Sequence, residues 1–171
     1  MRISQIVAYD QNYLIAKNSE IPWHLPRDLR FFKATTLQHH VLMGRTTFET
    51  FKGKPLPNRT NLVLTRSENY RAEGAIVVYS FEEAIALAQF NEETELFVIG
   101  GAQIYQQSLP FCDRLYCTEI ATEITLSEQD KGVYYPAIDK EKWRLVHEHY
   151  FTADEKNAFA QRYCIYERNL Q

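Results

Sequence analysis

Cysteine is scarce in this chain: there are three residues, Cys112, Cys117 and Cys164, odd in number and without the paired C-x-x-C spacing of a zinc site. A disulfide framework and a structural zinc are therefore not expected. The thiols read as reduced and mostly buried, as in a cytoplasmic protein. Long apolar runs are missing too. No stretch approaches the ~20 residues that span a bilayer, so no membrane partner is expected. Nor is either sign of charge in excess, and a net charge of -3 gives no general attraction to nucleic acid or acidic lipid. Any basic site must be local. The opening MRISQIVAY lacks the basic start, apolar run and small-residue cleavage site of a secretory leader. No internal repeat, low-complexity segment or linker divides the chain, so one domain over 1–171 is expected.

What remains is a composition that folds. Hydrophobic residues make up 45% and charged residues 24% of 171, enough for one sizeable core. Apolar runs rich in β-branched residues recur at ISQIVAY, HHVLMG, TNLVLT, AIVVY, ELFVIGG, RLYCTEI, WRLVHEHYF and QRYCIYERN. They read as about eight strands. Helical segments separate the early ones, as in βαβ units, whereas only the polar TADEKNAFA joins the last two. The expected fold is α/β: a mostly parallel twisted sheet closed by a C-terminal antiparallel hairpin and flanked by about four helices. Thr46 with Glu49, and Ser80 with Glu83, fit the S/T-x-x-E capping box, and Pro26 suits the first turn of a helix carrying RDLRFFKATT. The segments KNSEIPWHLP and ATEITLSEQDKGVYYPAIDKEK read as long loops of the functional kind.

Three constellations can carry chemistry. In EIPWHLPRDLRFFK, a helix from Pro26 puts Leu25, Asp28, Leu29 and Phe32 on one face, with Arg27, Arg30 and Lys33 elsewhere. Asp28 then either favours the helix dipole or is a desolvated carboxylate that meets a ligand. The apolar run ELFVIG leads through Gly100-Gly101 into a helix, and exposes backbone N–H groups as phosphate binding requires, although a tight turn explains a lone glycine pair equally well. Arg45 with Thr46, and Thr65 with Arg66, follow two strands and converge on one rim of a parallel sheet, where a dianionic phosphate could be held. His39-His40 reads as a solvated loop, for no acid or cysteine partner lies near it in the chain. His147 and His149 share one exposed strand face. Neither G-x-G-x-x-G nor a P-loop, nucleophile elbow or H-E-x-x-H is present, so no covalent nucleophile and no metal is expected.

In order, IVAYDQNYLIAKN, IPWHLPRDLRFFK, VLMGRTTFETF, PLPNRTNLVLTR, FVIGGAQIY and RLYCTEI resemble the dihydrofolate reductase family over nearly the whole chain. The resemblance implies NADPH-dependent reduction of dihydrofolate by a cytoplasmic monomer that also takes folate-like inhibitors. It implies that Asp28, backed by Thr118 and with Trp23 holding a water, binds the pterin and supports protonation at N5. Ile6, Leu29, Phe32 and Leu56 would line the slot, and Arg59 would grip the glutamate α-carboxylate. Ala8, Ile15 and Ala16 would border the nicotinamide, and Thr47, Gly100, Gly101, Gln103, Ile104 and Tyr105 the rest of the cofactor. Arg45, Thr46, Thr65 and Arg66 would surround the 2′-phosphate. The chain departs from the family at Ala16, where glycine is usual, at Gly132, where aspartate is usual, and at Tyr79, where some relatives carry a basic residue. The two altered loops are expected to meet through different hydrogen bonds. A related reductase acting on another pterin or a riboflavin precursor fits less well, because Asp28 with Arg59 suits a pterin bearing a glutamate tail. A binding module without turnover fits least.

Overall fold

The run HVLMG lacks polar alternation and forms strand β3 (His40–Gly44), buried through its first four residues. A strand of this kind has to be covered on both faces, as in the interior of a parallel sheet. The computed structural model describes residues 1–170 and places β3 between β4 (Thr60–Leu64) and β6 (Glu95–Gly100), parallel to both. Beyond β4 lies β5 (Ile76–Val78), also parallel, and the first half of β1 (Arg2–Tyr9) pairs in parallel with β6 from Arg2↔Glu95 to Gln5↔Val98. Helices α2 (Arg45–Thr50), α3 (Phe81–Phe90) and α4 (Ala102–Ser108) complete this part. Ala84 and Ala88, four apart on α3, are fully buried. Residues 1–5 and 34–112 make the first of two compact units.

The second unit comprises Ile6–Lys33 and the chain from Asp113 onward. It holds the rest of β1, most of α1 (Pro26–Thr36), β7 (Arg114–Ile120), β9 (Trp143–Phe151) and β10 (Gln161–Arg168). β10 is antiparallel to β7 and to β9, the latter pairing being the expected hairpin. Strand order in the eight-stranded sheet is β5-β4-β3-β6-β1-β7-β10-β9, which matches the expected class. All three cysteines are buried free thiols, and His147 and His149 lie exposed on β9. No helix among the described residues is long and apolar enough to cross a membrane.

Four local expectations need correction. Within the two long loops, β2 (Leu14–Lys17) and β8 (Gly132–Tyr134) pair as an antiparallel ribbon. Thr46 caps nothing: α2 starts at Arg45, with Gly44 as an N-cap lacking a side-chain bond. Ser80 does cap α3, accepting from Glu83 N at 3.0 Å, but Glu83 Oε2 accepts from Tyr79 N at 2.7 Å rather than from Ser80. His39-His40 is not a solvated loop. His40 opens β3, and Glu93 accepts from Nδ1 of His39 at 2.7 Å and of His40 at 2.6 Å. That acid lies more than fifty positions away, so no local pattern reveals it.

Candidate active site

In the second unit, the start of α1 is built from distant residues. Pro26 supplies a preset first residue, and Asn157 Oδ1 accepts from Arg27 N at 3.1 Å, capping the helix from the β9–β10 connection. Asn157 is itself buried and tied to Asp154 Oδ1 through its N at 2.7 Å and its Nδ2 at 3.0 Å. Arg27 Nη2 pairs with Asp154 Oδ2 at 2.7 Å. One flank of α1 packs on the hairpin, with Phe31 stacked on Tyr163 at 4.4 Å between centroids. The next position, Phe32, is half-buried, while Leu29 is left 51% exposed. An open leucine beside a half-buried acid reverses the usual order of burial, and is what a ligand-facing surface looks like.

Asp28 sits on that face in the first turn of α1, and the buried Thr118 of β7 donates from Oγ1 to Asp28 Oδ1 at 2.7 Å. Burial pushes the Asp28 carboxyl above the usual range, and the Thr118 hydroxyl partly opposes this by favouring the charged form. Ile6 is buried on β1, and Ala8, Ile15, Ala16 and Trp23 are half-buried. Asp10, which sequence reasoning missed, fixes the turn before β2. Its Oδ1 accepts from Asn12 N at 2.8 Å and Leu14 N at 2.9 Å, and its Oδ2 from Ile124 N at 2.9 Å. An aspartate ahead of Gln-Asn-Tyr signals such a turn. Asn157 carried no comparable signal.

In the first unit, Gly44 of β3 is level with Leu64 of β4, and Leu64 with Val78 of β5. Arg45, Thr65 and Tyr79 therefore follow three adjacent parallel strands, as the sequence suggested for the first two. Arg45 Nε donates to Glu49 Oε1 at 2.9 Å. Thr65 Oγ1 accepts from Ser67 N at 3.1 Å, while Thr46, Arg66 and Gln103 are exposed. Gly100 has φ +127, which L side chains rarely adopt, and a Cβ there would lie 3.5 Å from the Tyr105 ring and 3.7 Å from Thr47 Oγ1. On Gly101 it would meet only Thr47 Oγ1, at 3.4 Å. Gly44 has Ile104 as its neighbour, 3.1 Å from the corresponding position. The glycines thus bring Thr47, Ile104 and Tyr105 around a bare backbone. Leu56 is held by Asn61, whose Oδ1 accepts from Leu56 N at 2.8 Å. Arg59 is anchored by Nε to Pro57 O at 3.0 Å and by Nη1 to Thr36 Oγ1 at 3.1 Å, and burial lowers its pKa.

A family model described as dihydrofolate reductase matches residues 2–168. The dihydrofolate reductase of Bacillus subtilis (strain 168) is 43% identical over 166 residues, which cover 97% of this chain and 94% of that one. That of Haemophilus influenzae is 40% identical over 168 residues, 98% and 99% of the two chains. Among solved structures, dihydrofolate reductase from Enterococcus faecalis complexed with NADP(H) and RAB-propyl matches with a TM-score of 0.89 and 38% identity, over 99% of this chain and 97% of that one.

Proposed function

The chain belongs to the dihydrofolate reductase family, and from that membership we propose that it reduces 7,8-dihydrofolate to 5,6,7,8-tetrahydrofolate with NADPH, using Asp28 as the acid that holds the pterin. The observation that carries this reading is the carboxyl of Asp28, bonded to Thr118 Oγ1 at 2.7 Å on a helix face whose neighbouring Leu29 stays open. A carboxylate accepts from the ring N–H and amino group of a pterin side by side, and its charge favours the protonated substrate. Thr118 orients it. Trp23 holds a water at the approach, Ile6, Leu29, Phe32 and Leu56 give the slot its apolar walls, and Arg59 takes the α-carboxylate of the glutamate tail as a bidentate pair.

The residues present fit NADPH. Bare backbone at Gly100-Gly101 with Thr47 beside it suits close approach of a pyrophosphate, and Gln103, Ile104 and Tyr105 continue along it. Arg45, with Thr46, Thr65 and Arg66, takes the 2′-phosphate. When bound, NADPH supplies hydride from its nicotinamide C4 to pterin C6. The chain's part is to border the nicotinamide with Ala8, Ile15 and Ala16, exclude water with its apolar residues, and hold the Asp28 carboxyl on the pterin's ring N–H and amino group, from where it supports protonation at N5. Ala8, Ile15 and Ala16, which border the nicotinamide, and Ile6, Asp28 and Thr118 belong to the same compact unit. The same reading has the protein acting as a monomer and in a reducing cytoplasm, and its three free thiols support the second of these.

Mixing the protein with NADPH and dihydrofolate and following nicotinamide absorbance tests the reaction. Asp28→Asn is expected to slow turnover most at neutral and higher pH, where substrate protonation is scarce. Because burial raises the Asp28 pKa, its ionised form opposes folding above that pKa, and the cost vanishes on protonation. The amide variant is therefore expected to be at least as stable as the wild type at neutral pH. Rates unchanged across pH would remove Asp28 from the mechanism.

A further inference from the structure

Arg45 is an exposed side chain, yet its guanidinium is constrained twice. Nε is tethered one helical turn along to Glu49 Oε1 at 2.9 Å, and the guanidinium carbon lies 4.4 Å from the centroid of the Tyr70 ring. Neither Nη atom donates to the protein among the described residues. A guanidinium tied at Nε and backed by a ring has lost most of its rotamer freedom, and the edge left available is the one that makes two parallel bonds to a phosphate. We propose that Tyr70 is a positioning residue for cofactor selection: its ring fixes the plane of the Arg45 guanidinium so that the Nη edge meets the 2′-phosphate of NADPH. This rests on the reading of Arg45 given under Proposed function.

The chain is folded locally to deliver that ring. β4 ends level with β3, so the segment after Leu64 starts beside the one after Gly44. Thr65 Oγ1 then accepts from Ser67 N at 3.1 Å, and Ser67 O accepts from Tyr70 N at 3.2 Å, closing a turn that returns Tyr70 to Arg45. Tyr79, at the end of the next parallel strand, has its hydroxyl 3.5 Å from Glu68 O in the same turn. Where some relatives offer a second cation, this chain has an aromatic residue touching the turn that carries Tyr70. Selection is thereby left to Arg45 and Arg66, and of the two the direction of Arg45 is preset. Thr65 has two roles: its hydroxyl oxygen holds the turn, and contact with phosphate is left to its proton.

The test is cofactor binding to the ligand-free protein, measured by titration calorimetry with NADP+ and NAD+ for wild type, Tyr70→Ala, Tyr70→Phe, Arg45→Ala and the Arg45→Ala/Tyr70→Ala double variant. The preference for NADP+ over NAD+ is expected to fall about fivefold in Tyr70→Ala, the scale of a cation–π contact at an exposed site, and to survive in Tyr70→Phe, which keeps the ring. In the Arg45→Ala background, removing Tyr70 is expected to change the preference no further. Equal weakening of both dinucleotides in Tyr70→Ala, or a further loss of preference in the double variant, overturns the inference while leaving Arg45 in place. An unchanged preference in Arg45→Ala overturns the assignment of Arg45 itself, and the inference with it.

Discussion

Glu93 is the acid on which the first unit's polar chemistry converges. Its carboxylate accepts from the Nδ1 atoms of His39 and His40, from His40 N at 2.7 Å and from Glu95 N at 3.0 Å. Burial pushes its pKa up, but these donors outweigh burial and hold it at about 2. A depressed carboxylate stabilises the fold above its unfolded pKa, and that stabilisation is lost as pH falls through the folded value. From the unperturbed 4.5 to about 2, at about 1.4 kcal/mol per unit, the contribution is about 3 kcal/mol. The side chain is only 6% exposed, so solvent screens little of it. Glu93→Gln removes the charge and turns an NH2 group toward donors. It is expected to cost about 3 kcal/mol at pH 7, a large share of the ~5–15 kcal/mol by which a domain is stable. Urea unfolding of both proteins at pH 7, 5, 4 and 3 reads the difference as a shift in midpoint at constant slope. The gap is expected to be constant above about pH 5 and to shrink to less than half by pH 3. A pH-independent gap, or one below about 0.5 kcal/mol at pH 7, refutes the reasoning.

Two further outcomes follow from the second unit. Thr118→Val removes the hydroxyl that favours the charged form of Asp28, so burial acts unopposed and the Asp28 titration, read by 13C NMR in the ligand-free protein, is expected to move to higher pH. A midpoint that stays or falls would show that the hydroxyl does not act on the acid. At the tip of the hairpin from β2, Lys17 and Glu20 exchange backbone bonds across Asn18 and Ser19, whose φ values of 51 and 67 make a type I′ turn. Ser19→Gly relieves the second of these and is expected to stabilise by about 0.5–1 kcal/mol, raising Tm by about 2 °C. A lower Tm counts against the turn.

The parts of the fold legible in the sequence were those with strong local signals. Each of the eight apolar runs became a sheet strand, as burial demands for β3, β4 and β6, and the pattern of α1 put Asp28 on the face that carries the exposed Leu29. What the chain hid was pairing across long separations. Thr118 is ninety positions from Asp28 and was suggested only by resemblance; the bond between them is a product of α1 lying against β7. Asn157 caps α1 from 130 positions away, and a polar connection gives no sign of it. Thr46 misled because a capping box two residues into a helix looks the same in sequence as one at its start.

The ribbon shows how two departures from the family become one feature. Ala16 is opposite Val133 and Lys17 opposite Gly132, so the altered positions are neighbours on paired strands. At Gly132 a Cβ would stand 2.7 Å from Leu126 Cδ1, 2.9 Å from Leu14 Cδ1 and 3.0 Å from the Tyr134 hydroxyl. Leu14 is fully buried, so the aspartate usual in the family has no room here unless packed side chains shift. The polar ties of the ribbon lie at its end. Asn18 donates through its backbone N to Lys131 O and accepts at Oδ1 from Lys131 N, both at 2.8 Å, and its Nδ2 donates to Asp130 Oδ1 at 2.8 Å. Asp130 also accepts from Ser127 N at 2.8 Å and pairs with Lys17 at 3.4 Å, contacts that hold its carboxyl far below the usual range. A carboxylate two positions from the usual one thus ties the segments together, and the glycine is what lets Leu14 and Leu126 pack where the missing side chain would stand.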